Sequence, residues 1–576
     1  MVEMDRGYNI EKKPDRPLSS MRRLIGAALI GASLVSLVCL VPAAREKEGR
    51  TLVFEPSSQC MACHNGLVTA SGRDVSIGVD WRASMMANSS RDLYWQAGIR
   101  RETIDHPMAS MAIQDECSKC HMPMARFEAH EAGTKGVVFE YLPFVDIKKK
   151  SRSAALSEDG VSCAMCHQIE GDNLGKKESF VGGFNVKRQK PDEPRIAYGP
   201  YDIDKDMQPI MRSATGYRPV RSDHIEDSGL CATCHTLYTH SLNKKGEIVG
   251  ELPEQVPYLE WLHSDYAQGM SCQSCHMPVV EEKTPIANLL ADPREELARH
   301  VFRGGNFFML KLLNANRKAL GVRALSSELS ISAMRTTEHL KTGAAQVGIE
   351  TSFPDRATLR AEVTVENLSG HKLPTAYPSR RVWIHFVVRN KNRKIVFESG
   401  AMNDNGSIQG NDNDEDPTRY EPHYCEITSN KQVQIYESIM ANPKGDVTTG
   451  LLEATRFIKD NRILPSGFDK QQADDDVAVH GQAKKDEAFQ GGRHTTTYKI
   501  DVADHEGPFE LTAQILYQPI GFRWARNLAD YDAAEPKIFV DLHRKMASNS
   551  AMDLARKKIK VGRPVSFAPD AGTASP

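Results

Sequence analysis

Ten of the twelve cysteines in this 576-residue chain fall into five copies of one pattern, CxxCH. Two thiols at this spacing can each add to a vinyl group of a porphyrin, and the histidine that follows then lies beneath the iron as its proximal ligand. Five copies of the pattern cannot be accidental. The sequence therefore predicts five covalent c-type haems, attached through Cys60, Cys63, Cys117, Cys120, Cys163, Cys166, Cys231, Cys234, Cys272 and Cys275, with His64, His121, His167, His235 and His276 on the irons.

Two simpler uses of paired cysteines fit this pattern less well. Zinc ribbons take cysteine pairs two at a time, and the number of pairs here is odd. A redox-active disulfide needs no histidine after its second cysteine, whereas every pair here has one. The spacing therefore favours haem over zinc or a disulfide, and it leaves Cys39 and Cys425 outside any motif.

The iron of a simple electron carrier also needs a sixth ligand, which the rest of the chain must supply. The chain has nineteen histidines, enough for an imidazole on both sides of every iron. For any single histidine, an exposed or hydrogen-bonded side chain is the alternative interpretation. The candidate sixth ligands are His106, His224, His240, His263 and His300, and weaker candidates are Met85, Met86, His130 and His371.

The first 50 residues predict export across a membrane. A polar stretch ends in two arginines, residues 24–41 are apolar, and small residues follow. Positive charge before an apolar stretch keeps the start of a chain in the cytoplasm. An apolar stretch of this length suits both a cleaved signal peptide and a retained membrane anchor, and both interpretations stay open. We expect the rest of the chain in the periplasm or on the outer face of the cytoplasmic membrane.

Hydrophobic periodicity divides the remaining chain into four segments. All five motifs lie in residues 51–300, where glycine and proline mark many loops, so we predict an α-helical and loop-rich multihaem domain. Apolar residues at helical spacing predict a helical connector over residues 301–344. Alternating apolar residues predict a C-terminal β-sandwich over residues 345–545, followed by a flexible tail over residues 546–576. The predicted strands are residues 357–366, 381–388, 394–398, 495–502 and 509–517.

Charge gives little further guidance. The formal net charge of −2 gives no case for nucleic-acid binding. An acidic run at residues 411–416 has the composition of a calcium site, but it lacks the glycine and the distant glutamate of a helix-loop-helix calcium loop. We interpret this run as a solvated loop and keep a structural calcium ion as the alternative.

Several segments resemble exported multihaem cytochromes c of the superfamily that includes hydroxylamine oxidoreductase, pentahaem nitrite reductase and tetrahaem carriers. The resemblance rests on the repeated CxxCH motifs, on the Met-Pro pairs that follow His121 and His276, and on the stretch EQVPYLEW at residues 254–261. The segments GGNFFM at residues 304–309 and GHKLPT at residues 370–375 look like those of bacterial cytochromes that join such a haem block to a C-terminal β-domain.

The resemblance covers roughly residues 55–540 and implies electron transfer in bacterial respiration. Two departures argue against the enzymatic activities of the superfamily. Pentahaem nitrite reductases have one motif that ends in lysine, whereas all five motifs here end in histidine. No sequence signal marks the tyrosine cross-link of hydroxylamine oxidoreductases.

The main hypothesis is a conduit in a respiratory or extracellular electron-transfer chain. It would take electrons from a quinol dehydrogenase or a small cytochrome, its haems would be attached by the cytochrome c maturation machinery, and the β-domain would serve docking or assembly. One alternative is an oxidoreductase in which one iron lacks a protein sixth ligand and acts on a small nitrogen or sulfur compound. Another is that the β-domain binds surface polymers or a partner complex. The ligation of each iron decides between the first two hypotheses.

Overall fold

Short helices joined by long loops make up the first part of the described chain. The computed structural model describes residues 52–145, 151–190 and 193–564. The predicted leader, residues 1–50, lies outside the described residues, as do Cys39 and the end of the predicted tail. The helices of this part are α1 (Ser57–Met61), α2 (Ile77–Arg82), α3 (Leu93–Asp105), α4 (Ser110–His121), α5 (Pro123–Glu131), α6 (Arg152–Glu158), α7 (Cys163–Cys166), α8 (Gln208–Thr215), α9 (Ser228–His235), α10 (Pro257–Leu262) and α11 (Cys272–His276).

Each cysteine motif begins inside one of these helices, namely α1, α4, α7, α9 or α11. On a helix, residues three and four positions apart lie on the same face. In α4, α9 and α11, which contain the whole motif, the two sulfurs and the histidine therefore point to one side. Polar side chains begin several of these helices: Asp92 accepts hydrogen bonds from two backbone N–H groups of α3, and Asp227 accepts one in α9.

Small two-stranded sheets fix the loops between the helices. They pair β1 (Arg195–Gly199) with β2 (Tyr217–Arg221), β3 (Leu237–Leu242) with β4 (Ile248–Gln255), β5 (Val279–Val280) with β8 (Leu297–Ala298), and β6 (Thr284–Pro285) with β7 (Pro293–Arg294).

Two helices follow the motif-bearing part, α12 (Phe307–Ala315) and α13 (Ser326–Gly343). Six apolar residues of α12 are buried, on nearly all sides of the helix. A helix that is apolar all round belongs in a core. The helix α12 therefore lies inside the protein, and α13 packs against it.

The rest of the chain is mainly β-structure. Its strands are β9 (Ala345–Ser352), β10 (Thr358–Asn367), β11 (Arg381–Arg389), β12 (Ile395–Ser399), β13 (Glu426–Ile427), β14 (Ile435–Tyr436), β15 (Ser438–Ala441), β16 (Val447–Thr448), β17 (Arg456–Asp460), β18 (Phe489–Gln490), β19 (Arg493–Asp501), β20 (Phe509–Gln518) and β21 (Met552–Val561). Its helices are α14 (Asp412–Glu415), α15 (Phe522–Asn527) and α16 (Ala534–Met546).

Most of these strands form two five-stranded sheets. One sheet has the order β13-β19-β10-β9, with β18 beside β19, and the other has the order β12-β11-β20-β21, with β14 beside β11. The strands β15, β16 and β17 form a separate three-stranded sheet. The rings of Phe386 in β11 and Tyr498 in β19 lie 4.4 Å apart and join the two larger sheets. The apolar faces of these sheets therefore pack on each other.

The prediction of a flexible tail from residue 546 is wrong for residues 552–561. These residues form β21, which pairs with β20 over nearly its whole length. Leu554 is buried, whereas the lysines of β21 lie at the outer edge, where Lys558 pairs with Glu510. Lysine-rich edge strands resist pairing with other chains. The same basic residues made this segment look disordered in the sequence.

Side chains from the C-terminal part contact the motif-bearing part of the protein. Arg100 of α3 forms a salt bridge with Glu535 of α16 at 2.7 Å. The ring of Tyr94, also in α3, lies 5.3 Å from that of Phe539 in α16. The helix next to the second motif therefore packs directly on the C-terminal part. Within the described residues, no helix combines the length and apolar character needed to cross a membrane.

Candidate functional site

One continuous cavity of about 1220 Å³ runs through the motif-bearing part of the protein. All ten motif cysteines and all five motif histidines line it. A pocket for one small ligand usually has about 300–1000 Å³. The cavity is therefore larger than a single-ligand site, and its lining fits several porphyrins attached to the same wall.

The motifs that are neighbours in space differ from those that are neighbours in sequence. The thiol pairs within hydrogen-bonding reach are Cys60 with Cys163, Cys120 with Cys234, and Cys231 with Cys272. Cys166 of the third motif also interacts electrostatically with Cys234 of the fourth. The fourth motif therefore lies beside the second, the third and the fifth, and the first motif joins this group through the third.

Four of the motif histidines have the hydrogen bond that an iron ligand needs. A backbone carbonyl can only accept, so each Nδ1 must carry the proton, and each Nε2 keeps a free lone pair. Such second contacts fix the ring and strengthen it as a ligand. The distances from Nδ1 to the carbonyl oxygen are 2.6 Å for His64 and Ile286, 2.9 Å for His121 and Ser89, 2.5 Å for His167 and Tyr198, and 2.5 Å for His276 and Arg303.

Two motif histidines face a second imidazole across the cavity. His300 faces His167 with ring centroids 6.2 Å apart and ring planes 20° from parallel. His371 faces His276 with centroids 6.4 Å apart and planes 18° from parallel. Burial lowers the pKa of His300 to about 3 and that of His371 to about 4, so both rings are neutral. The separation of the ring centres in each pair can be compared with the separation of two imidazoles that bind one iron.

The gap has the width that one iron between two imidazoles requires. A metal–nitrogen bond to histidine is about 2.0 Å long. A five-membered ring with bonds of about 1.33 Å places each nitrogen about 1.15 Å from the ring centre. Two such bonds in line put the ring centres about 6.3 Å apart. The observed 6.2 and 6.4 Å agree with this value.

Of the other histidines predicted as sixth ligands, only His240 lines the cavity, and it is half-exposed beside Glu251. His224 uses both ring nitrogens, on Ser222 and on the Ile169 carbonyl. His263 donates to the Leu259 carbonyl outside the cavity lining. His106 is buried, and neither ring nitrogen has a hydrogen-bond partner.

Some of the weaker candidates for the sixth ligand line the cavity, and others do not. Met85 and Met86 both line the cavity. His130 lies at the surface, where its Nε2 is 2.7 Å from Asp115. His339, which was not among the candidates from the sequence, also lines the cavity beside His276. The available signal was its position near the end of a predicted helix.

Near the second motif the cavity wall is polar and titratable. Tyr94 and Tyr377 meet edge to face with ring centroids 5.7 Å apart. Burial raises the pKa of Glu254 to about 7 and also raises that of Glu102. Burial, and then these two carboxylates, raise the pKa of the Cys117 thiol. This side of the cavity can therefore hold protons near neutral pH.

A cluster in the β-structure has the composition of a metal site but the wrong proton positions. The Nε2 atoms of His423 and His494 lie 2.8 and 3.0 Å from one carboxylate oxygen of Asp486. The amides of Gln434 and Asn461 both donate to Nδ1 of His423 at 3.1 Å, and backbone N–H groups fix the orientation of both amides. Nε2 must then carry the proton, which leaves no lone pair for a metal. We interpret this cluster as a buried hydrogen-bond network.

The acidic run at residues 411–416 includes the short helix α14 rather than forming only a solvated loop. Asp414 is buried and paired with Arg381 at 2.8 Å, and Asp412 is paired with Arg419. A calcium ion would have to compete with both arginines for these carboxylates. The structural calcium ion remains a prediction.

Comparison with solved structures finds a similarity to a cytochrome. The chain is similar to a penta-heme cytochrome c552 from Thermochromatium tepidum. The similarity covers 89% of this chain and 100% of that chain, at 14% sequence identity and a TM-score of 0.48. No protein-family model and no curated protein matches the chain.

Proposed function

We propose that this protein is a c-type cytochrome that transfers electrons through five covalently bound haems. The observation that carries the proposal is that all five CxxCH motifs line one cavity, where two of their histidines face a second imidazole at the distance one iron requires. When bound, the haems supply one-electron oxidation and reduction, and packed haems exchange electrons directly.

The residues of the chain set the order and the environment of these centres. Contacts between the motif cysteines connect the first motif to the third and the third to the fourth, and the fourth also to the second and the fifth. The carbonyls that accept from Nδ1 hold the iron-binding nitrogens towards the cavity. Closely spaced centres along one continuous cavity suit a conduit with a branch at the fourth motif.

The cellular context of the proposal comes from the sequence. The chain would be exported and would act in the periplasm or on the outer face of the cytoplasmic membrane, held there by an N-terminal anchor or released by cleavage. A quinol dehydrogenase or a small cytochrome would be its redox partner. The paired sheets of the C-terminal part would serve docking or assembly.

Covalent haem content and axial ligation test the proposal together. Intact mass of the protein after acid and organic extraction should show five retained haem groups. His300→Ala should remove the imidazole opposite His167 and make one fifth of the haem high-spin in the ferric spectrum. His130→Ala is the matched control, because His130 lies at the surface, and it should leave the spectrum unchanged. Loss of the pigment to the solvent would refute the proposal.

A second candidate function is reduction or oxidation of a small nitrogen or sulfur compound at one of the irons. Among the described residues, no imidazole faces His64, His121 or His235 as His300 faces His167, and Arg380 acts on His235 electrostatically. Near the second motif, which lies beside the fourth, Glu254 could handle protons. A high-spin signal in the unmodified ferric protein, together with rapid nitric oxide binding, would favour this function over the conduit.

A further inference from the structure

The fifth motif is unusual because its histidine has two imidazole neighbours. His371 lies 6.4 Å from His276 with its ring plane 18° from parallel. His339 lies 6.1 Å from His276 with its ring plane at 69°. Both distances are close to the roughly 6.3 Å that one iron between two imidazoles requires. An iron bound to His276 has one remaining axial position, so only one of the two rings can occupy it.

His371 is the better prepared of the two rings. Its Nδ1 donates to the Lys372 carbonyl at 3.1 Å, which leaves the Nε2 lone pair free and increases its basicity. A buried network also holds the turn that carries it. The Lys372 backbone N–H donates to Glu260 of α10, and the Thr375 hydroxyl donates to the same carboxylate at 2.5 Å.

His339 comes from a different element and has no such support. It lies in the last turn of α13, on a face of that helix whose members Thr336, Leu340 and Gly343 also line the cavity. Within the described part of the chain, its ring nitrogens make no hydrogen bond. Its two ring nitrogens are therefore without a competing partner in that part of the chain.

We propose that His339 is a reserve sixth ligand that replaces His371 on the iron carried by His276. The proposal rests on the proposed function. In the exchange the bond from His371 to iron breaks and one from His339 forms. One imidazole–iron bond replaces another, so the exchange itself moves no electron. Because His339 lacks the hydrogen bond that strengthens His371 as a ligand, the His339-bound state has the higher reduction potential.

The exchange couples the fifth haem to the C-terminal part of the protein. The turn with His371 follows β10, whereas His339 belongs to the helix before β9. Any movement of the turn relative to α10 would release His371 while α13 stays in place. The potential of the haem at the fifth motif would then report the position of the turn.

Three variants of the full-length, haem-loaded protein test the exchange: His339→Ala, His371→Ala and the double variant. Spin state is read from ferric absorption and electron paramagnetic resonance, relative to the unmodified protein. His339→Ala should change neither readout. His371→Ala should keep this haem low-spin, with a changed resonance signal because the ring planes go from near parallel to near perpendicular. The double variant should add one fifth of the total haem as high-spin.

Two results would overturn the proposal. In one, His371→Ala alone adds that fifth of high-spin haem. In the other, the double variant adds none. His371→Gln, which is closer to histidine in size, is measured beside His371→Ala so that a packing defect does not decide the outcome. The intact mass tests the proposed function separately from the ligand exchange. Fewer than five haems in the unmodified protein would refute the proposed function itself.

Discussion

Asp460→Asn tests whether a buried ion network holds the His371 turn on the motif-bearing part. Asp460 accepts from Lys372 Nζ at 2.7 Å and from Arg462 at 2.7 Å, and Arg462 also reaches Glu260 at 2.8 Å. The Lys372 side chain has 0% exposure and that of Asp460 has 3%. Burial raises the pKa of Asp460, but Arg462 and Lys372 outweigh it and hold that pKa far below its usual range.

The loss of unfolding free energy in Asp460→Asn depends on whether Lys372 keeps its proton without its partner. Removing one member of a buried pair costs about 3–5 kcal/mol. Arg462 keeps Glu260 and cannot lose its proton, whereas burial already lowers the pKa of Lys372. Deprotonating a lysine of ordinary pKa at pH 7 costs about 4.6 kcal/mol, which sets an upper limit. We therefore expect a loss of about 3–4.6 kcal/mol in unfolding free energy at pH 7.

The pH dependence gives this prediction its sharpest test. In the variant, the folded state releases the Lys372 proton while the unfolded state keeps it up to a pKa of about 10.4. The unfolded state binds more protons, so the variant gains about 1.4 kcal/mol per pH unit between pH 7 and 10 relative to the unmodified protein. Urea unfolding followed by far-ultraviolet circular dichroism at pH 7 and 9 measures both quantities.

Asp530→Asn is the matched control, because it breaks the exposed pair of Arg526 and Asp530. It should change stability by about 0.5 kcal/mol or less at either pH. A loss of unfolding free energy under about 1 kcal/mol for Asp460→Asn, or a loss that is the same at pH 7 and 9, would show that the buried ion network does not stabilise the His371 turn.

Two further predictions concern other buried groups. Chelation with EDTA, or addition of zinc, should leave the melting temperature unchanged, because Nε2 of His423 carries a proton towards Asp486 and has no lone pair for a metal; a rise with zinc would show that the cluster binds metal. Glu254→Gln should stabilise the protein only at higher pH. The folded state raises the pKa of Glu254 from 4.5 to about 7, so the unmodified protein loses about 3 kcal/mol over that interval, and the variant does not. Parallel stability profiles of the two proteins from pH 4.5 to 8 would contradict this assignment.

Local patterns in the sequence anticipated many of the elements. The apolar spacing in residues 301–344 predicted a helical connector where α12 and α13 lie. Alternation predicted strands where β10, β11, β12, β19 and β20 lie. Such periodic segments bury one face whatever their partners are. Strand β21 was missed, because its basic residues face outward at a sheet edge that exists only in the folded chain.

The motif residues are determined by the sequence alone, because a porphyrin is attached through cysteines three positions apart and a histidine directly after them. Sixth ligands are different. His300 lies more than 100 residues from His167 along the chain, and His371 lies about 95 from His276. Nothing in the local pattern distinguishes these imidazoles from His224, which the fold binds to Ser222 and Ile169. Only the packing of distant segments around the cavity brings two rings to opposite sides of one gap, so the tertiary structure decides which histidines can share an iron.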